Sequence, residues 1–186
     1  MQVSDSVTKY LKRYPDDESH LRLLSQQLQQ GDEQLTSRKN FVGHITASAF
    51  IVNPATKQVL LLQHKSLGKL LQPGGHVEPA DKTILAAAER EVMEETGLGR
   101  SQLQLKSLCA NSPQVPFDID THFIPENPKK GEPGHYHHDF RYLFTAKENN
   151  VTIDPDESNG FAWVDWETFR TSPRFESVAV KIDKLV

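Results

Sequence analysis

The pattern of apolar and polar residues predicts a domain that mixes strands with helices and that follows two N-terminal helices. Apolar residues recur on one helical face from the start of the chain until Pro15 ends that run. A second helical run begins near residue 16, carries leucines on one side and stops at Gly31. We predict that residues 1–40 form a helical extension that packs over the main domain. A dimer contact and a substrate lid are the alternatives.

A change to β-type patterning at residue 41 opens the main domain, which is predicted to span residues 41–186. The segments FVGHITASAFIVN and QVLLLQH, separated by a turn, predict a β-hairpin. Prolines interrupt the segment 111–134, which is expected to be a long irregular loop of the kind that often carries function. The remaining elements predicted are strands at 103–110, 135–146 and 161–166, a short helix at 167–170 and a terminal helix.

The segment 73–98, PGGHVEPADKTILAAAEREVMEETGL, carries the strongest chemical signal. After a Gly-Gly loop it predicts a helix that ends at Gly97. Glu91, Glu94 and Glu95 stand at i, i+3 and i+4, which places them in one narrow arc of that helix. Their charges repel each other, and the C-terminal end of a helix disfavours anions. A hard divalent cation with oxygen ligands, Mg²⁺ or Mn²⁺, would make this arrangement favourable.

Composition narrows the class of protein. The 186 residues, of which 37% are hydrophobic, suffice for one domain with a substantial core. A net charge of −4 indicates no basic surface for duplex nucleic acid, although a small nucleotide held through a metal would need none. Cys109 is the only cysteine, which excludes a disulfide framework and fits a reducing compartment. No run approaches the ~18 apolar residues of a membrane span, so we expect a cytoplasmic protein without membrane contact.

The order of residues in the segment 73–98 resembles the signature of the Nudix hydrolases. That signature is Gly, five residues, Glu, seven residues, and then Arg-Glu-aliphatic-any-Glu-Glu-any-Gly-aliphatic. The run from Arg90 to Leu98 agrees with it at every defined position. Between Gly75 and Arg90 the pattern departs twice, because Asp81 replaces the usual Glu and one extra residue follows it. This departure leaves the role of Asp81 open and does not affect the three carboxylates.

The resemblance implies a fold and an activity. The implied fold is of the α/β class, an α/β/α sandwich with a mixed central sheet, with the N-terminal helical hairpin added outside. The implied reaction is hydrolysis of a nucleoside diphosphate linked to another moiety, such as ADP-ribose, a nucleotide sugar or a dinucleotide. Glu91, Glu94 and Glu95 would bind Mg²⁺ or Mn²⁺, one carboxylate would take a proton from water, and Arg90 would orient a glutamate. A pyrophosphohydrolase of damaged nucleoside triphosphates and a nucleotide-sensing module without catalysis are the alternatives. A homodimer is left open.

Histidines and an aspartate are further candidates for the same site. Many bacterial Nudix proteins resemble this chain in a Leu-Gln-Pro-Gly-Gly-His lead and a later His-x-His-x-Asp strand. That similarity implies that the face of His137 and Asp139 borders the site, opposite His76; a hydrogen-bonded structural strand is the alternative. His135, His137 and Asp139 have the alternate spacing of a transition-metal site, but the glutamates already account for a metal and no third ligand in the sequence requires zinc.

Two lysines and two acids complete the candidates. Lys129 and Lys130, in the proline-rich segment, are candidates for contacts with anionic groups of a substrate, and solvated surface lysines are the simpler interpretation. Asp81 and Glu157 are candidates for extra carboxylates. Glu157 is included because several Nudix proteins are similar in having a catalytic carboxylate on a distal loop, although an exposed loop acid is the favoured interpretation.

Overall fold

The computed structural model describes residues 3–31 and 34–186, so residues 1–2 and 32–33 of the predicted extension lie outside the described ranges. Within these ranges the chain forms five α-helices and eight strands. The helices are α1 Val3–Arg13, α2 Arg22–Gln29, α3 Ile84–Thr96, α4 Trp166–Arg170 and α5 Glu176–Ile182. The strands are β1 Gly43–Asn53, β2 Gln58–His64, β3 Lys69–Leu71, β4 Gly74–His76, β5 Leu103–Leu105, β6 Asp118–Ile124, β7 His135–Ala146 and β8 Ser158–Asp165.

The strands form one mixed sheet with helices on both of its sides. β1 and β7 lie side by side and parallel at its centre. β2 and β4 pair with β1, β5 and β6 pair with β7, and β3 and β8 pair with β2, all antiparallel. This arrangement confirms the sandwich that the resemblance implies.

The two faces of β1 differ in chemistry, and the helix α3 packs on one of them. All eleven of its residues are buried. Its odd-numbered residues from Ile45 to Ile51 share a hydrophobic cluster with α3. On the other face, Phe50 and Val52 pack with residues of α4 and α5. The earlier part of this face carries buried polar residues, from His44 to Ser48. One half of this face is therefore polar and lies beside β4 and β7.

The N-terminal helices pack on the main domain. Tyr10 and Leu24 are fully buried in the same hydrophobic cluster as β1, as expected of a packing element. α2 begins later than predicted, because the acidic residues that follow Pro15 form a 3₁₀ turn. The division of the chain at residue 40 stays a prediction. No helix in the described ranges is both long and apolar enough to cross a membrane.

Three predictions about strands are wrong. The segment 111–134 is not irregular throughout, because β6 runs through its middle and pairs with β7 along seven residues. The Gly-Gly loop is itself a strand, β4, which pairs with β1. The predicted strand at 103–110 is only three residues long as β5. A strand of three residues is too short to show a clear alternation of apolar and polar positions in the sequence. Its bounds are set by its pairing with a neighbouring strand.

Candidate active site

α3 presents its three glutamates at different depths. Thr83 caps the helix by accepting a backbone N–H of the first turn, and Gly97 ends it in the left-handed conformation at φ 70°, as predicted. Glu91 and Glu95 are buried, at 8% and 7% exposure. The Glu94 side chain is 54% exposed. The acidic edge of the helix therefore turns two carboxylates inward and one outward.

The strand β4 faces the two buried glutamates. A Cβ atom on Gly75 would lie 2.6 Å from Oε1 of Glu91, which is closer than real Cβ contacts allow. The backbone N–H of Gly74 donates to Oε2 of Glu95 at 3.3 Å. Glycine at position 75 therefore leaves the room that the Glu91 carboxylate occupies, and glycine at position 74 allows the close approach of β1.

Glu157, immediately before β8, brings a further carboxylate to the buried pair. It is exposed, as expected of a loop acid, but its carboxyl group hydrogen-bonds to that of Glu95. Burial, this hydrogen bond and the charge of Glu91 raise the pKa of Glu95 to about 9. Burial also raises the pKa of Glu91 to about 7, although Arg90 opposes the shift. A bound divalent cation would favour the ionised forms, so this set of oxygen donors fits Mg²⁺ or Mn²⁺.

Arg90 ties α3 to the loop before it. Its guanidinium group contacts Glu91 at 3.0 Å and Glu94 at 2.8 Å. It also contacts Asp81 at 3.1 Å and donates to the backbone carbonyl of His76 at 2.8 Å. Arg90 therefore has the geometry of the predicted orienting residue. Asp81, the departure from the family signature, lies on Arg90 and helps to hold the guanidinium in place.

β4 and β7 bring His76 and His137 together, and their part in the active site stays a prediction. Their ring centroids are 5.4 Å apart. Burial and the neighbouring rings, His44 first among them, lower the pKa of His137 to about 2. Burial and His44 lower that of His76 to about 4. His44 is not among the predicted site residues, because the parallel pairing that sets it opposite His137 is not visible in the sequence. A histidine inside an otherwise apolar strand is the signal that would have found it.

Asp139 lies in a buried hydrogen-bond network, and the two candidate lysines lie in an exposed turn. Asp139, 5% exposed, accepts hydrogen bonds from Ser48 at 2.8 Å and from Arg141 at 3.0 Å. These contacts match the structural alternative for this residue. Lys129 and Lys130 are exposed in the turn between β6 and β7. Their part in substrate binding stays a prediction.

Comparison with known proteins identifies the family. A model described as the NUDIX domain matches residues 42–184, and the chain therefore belongs to the Nudix family, as a pyrophosphohydrolase of that type. Nudix enzymes generally use divalent metal ions, which agrees with the buried carboxylates. The assignment to a subgroup with the Leu-Gln-Pro-Gly-Gly-His lead and the one-residue expansion stays a prediction.

Individual relatives support the family and the fold. The chain is 28% identical over 153 residues to a probable DHNTP pyrophosphohydrolase of Lactococcus lactis, covering 81% of this chain and 84% of that protein. A Nudix-family hydrolase from Clostridium perfringens is 26% identical with a TM-score of 0.58, covering 77% of this chain and 98% of that one. The dihydroneopterin triphosphate pyrophosphohydrolase of E. coli is 20% identical with a TM-score of 0.56, covering 76% and 94%, and shows the shared fold.

Gly75→Ala is expected to lower kcat/KM by about 100-fold, because the added methyl group displaces the Glu91 carboxylate and a misplacement of ~1 Å can cost that much. The measurement is steady-state hydrolysis of whichever substrate turns over in wild-type protein. Gly99→Ala is the matched control, since a Cβ atom there meets nothing closer than 3.7 Å. Equal activity in both variants would show that Gly75 is not needed for the position of Glu91.

Proposed function

We propose that this protein hydrolyses a phosphoric anhydride bond in a small nucleotide-like substrate, with Mg²⁺ or Mn²⁺ held by Glu91, Glu94 and Glu95 and with Glu157 as a further carboxylate. The observation that carries the proposal is the burial of Glu95, which is 7% exposed and contacts the carboxyl group of Glu157. In the described part of the chain Glu95 forms no ion pair. Clustered buried acids are unfavourable without a cation, and a divalent ion would complete them.

The side chains of the site have separate parts in this proposal. When bound, the cation would neutralise phosphate oxygens and make a water molecule more acidic. A carboxylate of the cluster accepts the proton of the attacking water. Arg90, held by Asp81 and the glutamates, positions these carboxylates and does not contact the substrate. The packed helix α3 keeps the whole set rigid.

Two classes of substrate fit this chemistry. The first is a nucleoside diphosphate linked to another moiety, which would yield a nucleoside monophosphate and a phosphorylated remainder. The second is a triphosphate of a nucleoside or of a similar heterocycle, which would yield a monophosphate and pyrophosphate. The name of the Lactococcus lactis relative supports the second class and dihydroneopterin triphosphate in particular. A nucleotide-sensing module is less well supported, because all three helix carboxylates are present.

A panel of substrates tests the proposal and separates the alternatives. Dihydroneopterin triphosphate, nucleoside triphosphates, ADP-ribose, nucleotide sugars and dinucleotides are assayed with Mg²⁺, with Mn²⁺ and with EDTA. We expect turnover that requires the metal, and the products, separated by ion-exchange chromatography, identify the bond that breaks. Binding of a nucleotide without turnover under every metal condition would favour the sensing module, and metal-independent turnover would contradict the proposed site.

A further inference from the structure

A second group of side chains, a cluster of histidine rings, contains none of the carboxylates. It is formed by His44 on β1, His76 on β4, and His135 and His137 on β7. His44 and His137 stand opposite each other in the parallel register of β1 and β7, so their side chains leave the same face of the sheet. His135 precedes His137 by two residues and shares that face. The ring centroids are 4.7 Å apart for His44 and His137, and 5.0 Å for His44 and His135.

The nitrogen atoms of three of these rings converge. One nitrogen each of His44, His135 and His137 lies within 4.8 Å of the others. Nε2 of His135 and Nε2 of His137 are 3.2 Å apart. Zinc binds imidazole nitrogens at about 2.0–2.1 Å, so its ligand atoms lie roughly 3.3 Å from one another in a tetrahedral site. The Nε2 atoms of His135 and His137 on β7 already have that spacing. Small rotations of the side chains would bring the nitrogen of His44 to the same distance.

Two backbone carbonyl groups fix which nitrogen is free to bind. Nδ1 of His44 is 3.0 Å from the carbonyl oxygen of Asn40, and Nδ1 of His135 is 2.8 Å from that of Pro133. A carbonyl oxygen only accepts, so each Nδ1 carries the proton and each Nε2 keeps a lone pair. This is the arrangement by which metal-binding histidines are usually oriented.

His44 supplies an independent sign that a ligand is missing. The residue is 1% exposed. Its Nε2 atom is buried and has no hydrogen-bond partner among residues 3–31 and 34–186. A buried polar atom without a partner is costly, and a metal ion at Nε2 would remove that cost.

We propose that His44, His135 and His137 form a second metal site, which binds a transition metal of the Zn²⁺ class and is separate from the Mg²⁺ site of the glutamates. Neutral imidazole nitrogens suit Zn²⁺, Co²⁺ and similar ions, whereas carboxylates and water suit Mg²⁺ and Mn²⁺. Three protein ligands leave a fourth position for water or for an oxygen atom of a substrate. His76 lies beside these ligands, with its ring centroid 5.2 Å from that of His44 and 5.4 Å from that of His137.

The two metal sites flank the short strand β4. Gly75 lies against Glu91, and the next residue, His76, adds its ring to the histidine cluster. Successive residues of a strand point to opposite faces of the sheet, so β4 separates a metal on the histidines from the carboxylates of α3. The site does not depend on which substrate the glutamates process, so its test is metal binding and not activity.

Zinc titration in the presence of saturating Mg²⁺ tests this site directly. Metal-free protein is first loaded with Mg²⁺, which occupies the carboxylates, and Zn²⁺ binding is then followed by calorimetry and by metal analysis after desalting. We expect about one Zn²⁺ per chain. Co²⁺ in place of Zn²⁺ should give the intense visible spectrum of a four-coordinate site with nitrogen ligands. The absence of retained Zn²⁺ in wild-type protein would overturn the proposal without any variant.

Substitutions then locate the ion. His137→Gln, at a half-buried position, should weaken Zn²⁺ binding by more than about 100-fold, beyond the usual cost of losing an outer-sphere partner. His135→Gln is a second variant should the first fail to fold, as judged by circular dichroism. His64→Gln, on β2, is the matched control and should bind as wild type does, and Glu95→Gln should also retain Zn²⁺. Unchanged binding in both cluster variants, or loss only in Glu95→Gln, would overturn the proposal.

Discussion

Glu95→Gln is expected to lower kcat by at least about 1000-fold, which corresponds to roughly 4 kcal/mol of barrier. The substitution keeps the size of the side chain and removes the charge that a divalent cation needs. Glu95 is the least exposed of the three helix carboxylates. Glu95 has no cation beside it in the described part of the chain, so its charge serves no ion pair of the fold. The measurement is the hydrolysis rate at saturating substrate over a range of Mg²⁺ concentrations.

The thermal stability of the same variant provides a second and independent readout. Wild-type protein should melt at a higher temperature with Mg²⁺ than with EDTA, because a ligand that binds the folded state stabilises it. Glu95→Gln should lose this dependence while melting at least as high as wild type in EDTA, since the amide relieves the contact between Glu95 and Glu157. Glu89→Gln, on the same helix but paired with Arg100, is the control and should behave as wild type. Wild-type activity in folded Glu95→Gln protein would contradict the proposed metal site.

The helix α3 and its carboxylates could be predicted because their signals are local. Glu91, Glu94 and Glu95 share a helix edge by periodicity alone, and Gly97 ends the helix through its own backbone freedom. The conflict between these charges and ordinary helix electrostatics is visible in the order of residues, and it singles out this segment as functional. Which carboxylate turns inward was not predictable, because the depth of each depends on where β4 lies.

Only part of the histidine cluster could be predicted, because its residues are far apart in the sequence. His135 and His137 are two residues apart, and the alternation of a strand is enough to place them on one face. His44 comes about ninety residues earlier and joins them through the parallel pairing of β1 with β7. No periodicity along the chain reports the register between two strands, so the third ligand and the separate metal site emerge only from the fold.

The strand β6 was missed although its sequence, DIDTHFI, alternates. Prolines before and after it suggested a loop, and the strand gains its stability from pairing with β7 rather than from its own composition. Its acidic residues reveal the same dependence on partners. In the fold Asp118 and Asp120 contact Arg141 of β7.

Arg141→Met is expected to destabilise the fold by about 3–5 kcal/mol, because it leaves the buried carboxylate of Asp139 without the cation that pairs with it. The guanidinium group contacts Asp118 at 2.9 Å, Asp120 at 2.8 Å and Asp139 at 3.0 Å. Methionine keeps most of the volume, so the loss reports charge and hydrogen bonding rather than a cavity. The measurement is the free energy of unfolding from urea denaturation at pH 7. Arg100→Met is the matched control, since its exposed ion pair with Glu89 should contribute no more than about 1 kcal/mol.

The pH dependence of this difference distinguishes lost charge pairing from lost packing. Burial alone would raise the pKa of Asp120, but hydrogen bonds and charges from His122, Arg141 and His20 lower it below the ordinary value of 3.8. A carboxyl group with a lowered pKa stabilises the fold above its unfolded pKa, and this stabilisation is lost as the pH falls through the folded value. The difference in unfolding free energy between wild type and Arg141→Met should therefore be largest near pH 7 and shrink below about pH 4. A difference that stays constant as the pH falls from about 4 to about 2 would mean that Arg141 stabilises the protein by packing and not by its charge.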